Sequence, residues 1–81
     1  MPYIKQADRV RLVHDKPRTV GELNYLITRL CLEYLDNAKP ETYSIINSVI
    51  GALECAKLEL YRRVAVPYEN IKRNENGEVY P

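Results

Sequence analysis

A chain of 81 residues, 46% hydrophobic and 28% charged, has the profile of a folded domain rather than a disordered segment; at this length one core contributes only ~3–5 kcal/mol, so self-association is expected from the outset. Twelve Lys and Arg against eleven Asp and Glu leave a net charge of +1, which argues against a surface built throughout for nucleic acid. No apolar run approaches the about 20 residues of a transmembrane helix, and Met1-Pro2-Tyr3-Ile4-Lys5 lacks the apolar block of a signal peptide, so a cytoplasmic protein is expected.

Pro2 favours an extended start. A short helix is expected over about Lys5 to Val13, with a patchy stripe of Ala7, Val10, Leu12 and Val13 that must be held by packing. His14 to Arg18 forms a linker, and Pro17 stops any continuation. Thr19-Val20-Gly21-Glu22 fits a capping box, in which the Thr19 hydroxyl accepts from the third helical amide and Glu22 reaches back to the Thr19 amide. Leu23, Leu26, Ile27, Leu30, Tyr34 and Leu35 then line one face of a second helix. Tyr25 and Leu32, seven apart and off that stripe, are candidate subunit contacts. Asn37 can take a left-handed C-cap and Pro40 can open the next helix, across a loop short enough for an antiparallel hairpin.

Tyr43 to Val66 reads as one long helix, since Ile46, Val49, Ile50, Leu53, Leu60, Tyr61 and Val64 recur at three-and-four spacing. Ile45, Ala52 and Ala56 form a second apolar track, so its first half is expected to be buried nearly all round. Ser48, Gly51, Ala52 and Cys55 make a side-chain-poor patch for close helix approach. The expected core is Leu26, Ile27, Leu30, Ile46, Ile50, Leu53 and Leu60. Pro67 ends or kinks this helix. Asn74-Glu75-Asn76-Gly77 then signals a turn, leaving a small C-terminal hairpin or a frayed helical turn and tail.

Chemistry-bearing patterns are sparse. His14 is the single histidine, and Cys31 and Cys55 lie inside helical patterns without metal or redox spacing, which reads as two small buried thiols. The three glycines form no phosphate-binding loop, and neither a nucleophile with its base nor a close carboxylate pair is encoded by spacing. The expectation is a non-enzyme without cofactor or metal. All seven aromatics are Tyr, and each ring brings a hydroxyl suited to half-wet places. Tyr61-Arg62-Arg63 followed by Tyr68 and Lys72-Arg73 interleaves rings with planar cations, a set able to stack a base and clamp a phosphate. Equally, Arg62 and Arg63 suit a helix C-terminus and solubility.

Met1-Pro2-Tyr3-Ile4-Lys5, Gly21-Glu22-Leu23-Asn24-Tyr25 with Ile27-Thr28-Arg29, the block Gly51 to Arg63, Pro67-Tyr68-Glu69 and Asn76-Gly77 before Val79-Tyr80 together resemble a family of small uncharacterised helical proteins of bacteria and their phages. That resemblance implies a phage or mobile-element setting and an anti-defence role by binding a host protein or sequestering a nucleotide signal. It assigns no functional residue.

The resulting expectation is an all-α single domain over residues 1–81: an antiparallel helical hairpin with a short N-terminal helix. Its function is expected to be that of a small oligomeric binding protein, most simply a dimer, which binds a host protein or an anionic nucleotide-like ligand. Ligand residues would be Tyr61, Arg62, Arg63 and Tyr68, held between subunits because a hairpin filled by Leu and Ile has no pocket of its own. The alternative is a small nucleic-acid-binding accessory protein.

Overall fold

The computed structural model describes residues 1–40 and 42–81. The chain is all-α, with α1 at Gln6–Arg11, α2 at Val20–Asn37, α3 at Tyr43–Leu60, a π-helical turn at Tyr61–Ala65 and α4 at Val66–Asn76; no strand occurs among the described residues. It divides into two units, Met1–Ile46 and Asn47–Pro81.

In the first unit the short α1 is held by side chains rather than by its own length. Arg9 Nε donates to the Ile4 carbonyl at 3.0 Å, and its guanidinium lies 5.5 Å from the centre of the Tyr25 ring, within cation–π range. The N-terminal arm lies against Gly21, where a Cβ would sit 3.4 Å from both Ile4 Cγ2 and the Met1 carbonyl oxygen. Leu12, 6% exposed, is the buried apolar side chain of this arrangement. Thr19 caps α2 as its sequence predicts, with extended φ and ψ of −132° and 161° and Oγ1 accepting from the Glu22 N–H at 3.1 Å. The other half of the capping box is not made, because the Glu22 carboxylate is taken by Arg11 and by the Arg18 N–H. Asn37 closes α2 from inside the helix, and Ala38 is the C-cap, its N–H reaching the Tyr34 and Leu35 carbonyls. The left-handed cap expected at Asn37 is absent, since no described non-glycine residue has positive φ.

α3 begins at Tyr43 as expected, where Thr42 Oγ1 accepts from the Ile45 N–H at 3.3 Å. The helical path continues past Pro67. A proline inside an α-helix lacks a donor and presses on the carbonyl four residues back, here Arg63, and the wider π turn lies at that point, with the Val66 N–H bonded to the Tyr61 carbonyl. Pro67 then occupies the first turn of α4, where a missing N–H costs little. Of the two endings expected after Pro67, the hairpin does not form and the helical turn with a tail does, in a longer form: Asn76-Gly77 stops α4 instead of turning a strand pair, Gly77 taking φ 97° with its N–H on the Arg73 carbonyl at 2.8 Å.

None of the seven expected core residues is buried. Ile27, Leu30, Ile46, Ile50, Leu53 and Leu60 are 39–70% exposed, and Leu26 is intermediate. No residue of α3 is buried, so the helix expected to be buried nearly all round leaves its apolar side chains exposed or half-buried. Cys55 is exposed and Cys31 intermediate, which corrects the expectation of two buried thiols; both are free.

Candidate functional site

The π turn organises the second unit's side chains. An extra residue per turn brings a position eight residues on into the place a regular helix gives the seventh, so Glu69 comes round to the face of Tyr61. The Tyr61 hydroxyl donates to Glu69 Oε1 at 2.7 Å. That bond, with the negative charge behind it, holds the Tyr61 hydroxyl above its ordinary pKa of 10.0.

Two open grooves flank this pair. One, of 440 Å³, is lined by Tyr61, Tyr68 and Tyr80 together with Glu69, Lys72 and Arg73. Its outer wall is the C-terminal tail, which Glu78 bends by accepting the Val79 and Tyr80 N–H groups, both at 3.0 Å. The other, of 540 Å³, has an apolar lining built from Leu60, Tyr61, Val64, Ala65 and Tyr68, with Lys57 and Glu69 at its rim.

Tyr61 and Tyr68, both singled out from sequence, therefore line both grooves. Arg62 and Arg63 line neither: Arg62 Nη2 donates to both Glu59 oxygens, at 2.9 and 2.8 Å, and Arg63 Nε lies 3.4 Å from Glu59 Oε1. The cations on the tail groove are instead Lys72, 3.3 Å from Glu75 and 5.7 Å from the Tyr68 ring centre, and Arg73, 3.6 Å from Glu78. Each guanidinium or ammonium near the rings is thus matched by a carboxylate. A base or another flat apolar group finds stacking faces here, while a phosphate would have to displace one of those carboxylates. Glu69, Glu78 and Tyr80 were not visible as site residues, because their placement depends on the π turn and the bent tail.

In the first unit the proposed contact residues differ. Tyr25 is half-buried and faced by Arg9, whereas Leu32 is 48% exposed. The unit's polar centre is a cluster the sequence did not reveal. Glu22, 6% exposed, accepts from Arg11 Nη2 and from the Arg18 N–H at 2.9 Å. Asp15 accepts from Arg11 at 2.9 Å, Arg18 at 2.7 Å and the Lys16 N–H at 2.8 Å. The Arg11 hydrogen bond, then that from Arg18, draws the Glu22 pKa below its ordinary value; the Lys16 N–H and then Arg11 do the same for Asp15. Two ionised acceptors bound by fixed donors form a structural clamp, without a nucleophile or a proton poised for transfer. Among the described residues no three His, Cys, Asp or Glu side chains converge as a metal site, and no helix is long and apolar enough to cross a membrane.

The sequence model of a family described as "Domain of unknown function (DUF6899)" matches residues 1–79. No curated protein and no solved structure matches the chain.

Proposed function

We propose that this chain, which belongs to the DUF6899 family of domains of unknown function, is a small self-associating helical binding protein of the cytoplasm, in a phage or mobile-element setting. The observation that carries the reading is the uncovered apolar face of the second unit, where no residue from Asn47 to Pro81 is buried. Ile50 is 58% exposed, Leu60 64% and Val64 60%. Each large aliphatic side chain left wet forgoes about 1.5–3 kcal/mol of burial. A second protein surface supplies that burial. Light scattering tests it: a mass of two or more chains supports the proposal, and a mass near 9.4 kDa at high micromolar concentration rejects it.

A second reading, capture of a nucleotide-like ligand, is favoured by the three Tyr rings on the 440 Å³ groove. The stacking role falls to Tyr61, Tyr68 and Tyr80, and the phosphate role to Lys72 and Arg73 before Arg62 and Arg63, which lie outside the groove. Calorimetry against linear and cyclic nucleotides decides it, absence of heat from all of them removing the reading. The host-protein alternative is tested by mass spectrometry of what co-purifies with the natively expressed protein. General nucleic-acid binding would require salt-sensitive affinity for random DNA, for which the carboxylate-matched cations offer little support.

A further inference from the structure

Resting on the nucleotide-capture reading, we propose that residues 78–80 form an autoinhibitory latch on the 440 Å³ groove: Glu78 occupies Arg73 where the anionic group of a ligand would bind, and the latch swings on Gly77 when that group arrives.

The backbone supplies the pivot. Gly77 takes φ 97° and ψ 156°, a region essentially closed to residues with a Cβ, and its N–H is bonded to the Arg73 carbonyl at 2.8 Å. The chain therefore leaves α4 beside Arg73. Glu78 then uses its two oxygens differently. Oε1 accepts the Val79 and Tyr80 N–H groups, both at 3.0 Å, so three residues fold round one carboxylate and move together. Oε2 lies 3.6 Å from Arg73 Nε. Tyr80, 80% exposed, stands at the outer wall of the groove without being packed into it.

The two cations lining the groove are paired from different places. Glu75, 3.3 Å from Lys72, belongs to α4 itself, so that pair persists as long as the helix does. Arg73 is paired from beyond the pivot. Glu69, the remaining carboxylate of the groove, is engaged by the Tyr61 hydroxyl. A carboxylate and a phosphate present the same kind of oxygen to a guanidinium, so Glu78 and a ligand's phosphate compete for one donor. The phosphate has the advantage. The side chains of Arg73 and Glu78 are 52% and 49% exposed, and ion pairs so open to water are weak, whereas a phosphate monoester brings more charge than a carboxylate. Binding of the anion and release of the tail are therefore one exchange at Arg73.

The test is calorimetry of the full chain with adenosine 5′-monophosphate, and with adenosine as the same ring without its anion. Glu78→Gln removes the competing charge, while Gly77→Ala keeps every charge and displaces the tail, because alanine does not take the Gly77 conformation. Each substitution is expected to tighten adenosine 5′-monophosphate by about two- to fivefold, the worth of an exposed ion pair, and to leave adenosine unchanged. Tightening by Glu78→Gln but not by Gly77→Ala is a charge effect without a latch and overturns the inference alone. Affinity for adenosine 5′-monophosphate equal in all three proteins overturns it as well. No heat from either compound with any of the three proteins overturns the capture reading for this ligand class and the inference with it.

Discussion

Arg11 and Glu22, eleven residues apart, are joined by a hydrogen bond from the Arg11 guanidinium to Glu22 Oε1, and that bond ties α1 to the first turn of α2. Glu22 is buried, and its carboxylate also accepts the Arg18 N–H, so the linker between the two helices is fixed by the same oxygen. Removing the charge leaves a half-buried guanidinium partner and a backbone N–H less well satisfied. Glu22→Gln is expected to lower the thermal midpoint and to loosen the 12–18 segment, read as faster amide exchange there.

The same pair sets a pH dependence. The folded Glu22 pKa lies below its ordinary value of 4.5, so the folded state binds the proton less readily than the unfolded chain, and the contribution is fully present above that value. It is lost as pH falls from 4.5 through the lowered pKa. Asp15, lowered from 3.8, extends the loss to more acid conditions. Urea midpoints measured between pH 7 and pH 3 should fall on acidification in the wild type and fall less in Glu22→Gln. Parallel curves for the two proteins would assign the acid loss elsewhere.

Leu12 and Leu53 separate two kinds of stabilisation. Leu12 is 6% exposed, so Leu12→Ala is expected to cost ~2–5 kcal/mol irrespective of protein concentration. Leu53 is 39% exposed in the single chain. If it is covered by a second copy, Leu53→Ala acts on association, and its effect on the melting midpoint should be small at low protein concentration, where neither protein pairs, and grow as concentration is raised. Melting curves over a hundredfold concentration range distinguish the two.

What was legible in the sequence is what local chemistry dictates. The Thr19 cap, the start of the third helix at Tyr43 and the all-α class follow from residue types at fixed short spacings. The misreadings share a cause in longer-range competition. Glu22 has the right place for a capping box, yet a guanidinium eleven residues earlier outbids the Thr19 amide. Pro67 signals interruption, but a π turn absorbs it and carries the helix to Asn76. Asn76-Gly77 encodes a positive φ without saying whether it closes a helix or a hairpin. For the site, two of four proposed ligand residues line the grooves; Arg62 and Arg63 are diverted by Glu59, a neighbour their spacing already offered.

Tyr61 reports on the π turn directly. Its hydroxyl donates to Glu69, which raises its pKa, so this contribution is present below the ordinary value of 10.0 and lost as pH rises through the raised one. Ultraviolet titration should show Tyr61 ionising late, above 10.0. Glu69→Gln is expected to bring that component back toward 10.0 without loss of helicity by circular dichroism. A late component unchanged by the substitution would detach Tyr61 from Glu69.

Gly51 gives the last prediction. It lies in mid-helix with nothing within 4 Å of the position a Cβ would take, so it bears the backbone entropy of glycine without a close contact inside the chain that requires it. Gly51→Ala is therefore expected to stabilise α3 by about 0.5–1 kcal/mol, which for a domain of this size is roughly 2–8 °C in melting midpoint. The position also separates two pairing surfaces. Two residues from Leu53, Gly51 lies on nearly the opposite side of the helix from Leu53 and Leu60, so a self-association through that side leaves the added methyl out of the contact and the oligomer unchanged. A close helix contact through Ser48, Gly51 and Cys55, the use their small size suggests, would instead be wedged apart by it. Light scattering and melting of Gly51→Ala thus read together: a higher midpoint with unchanged mass fits pairing through Leu53, and a weakened oligomer moves the interface to the small-residue face.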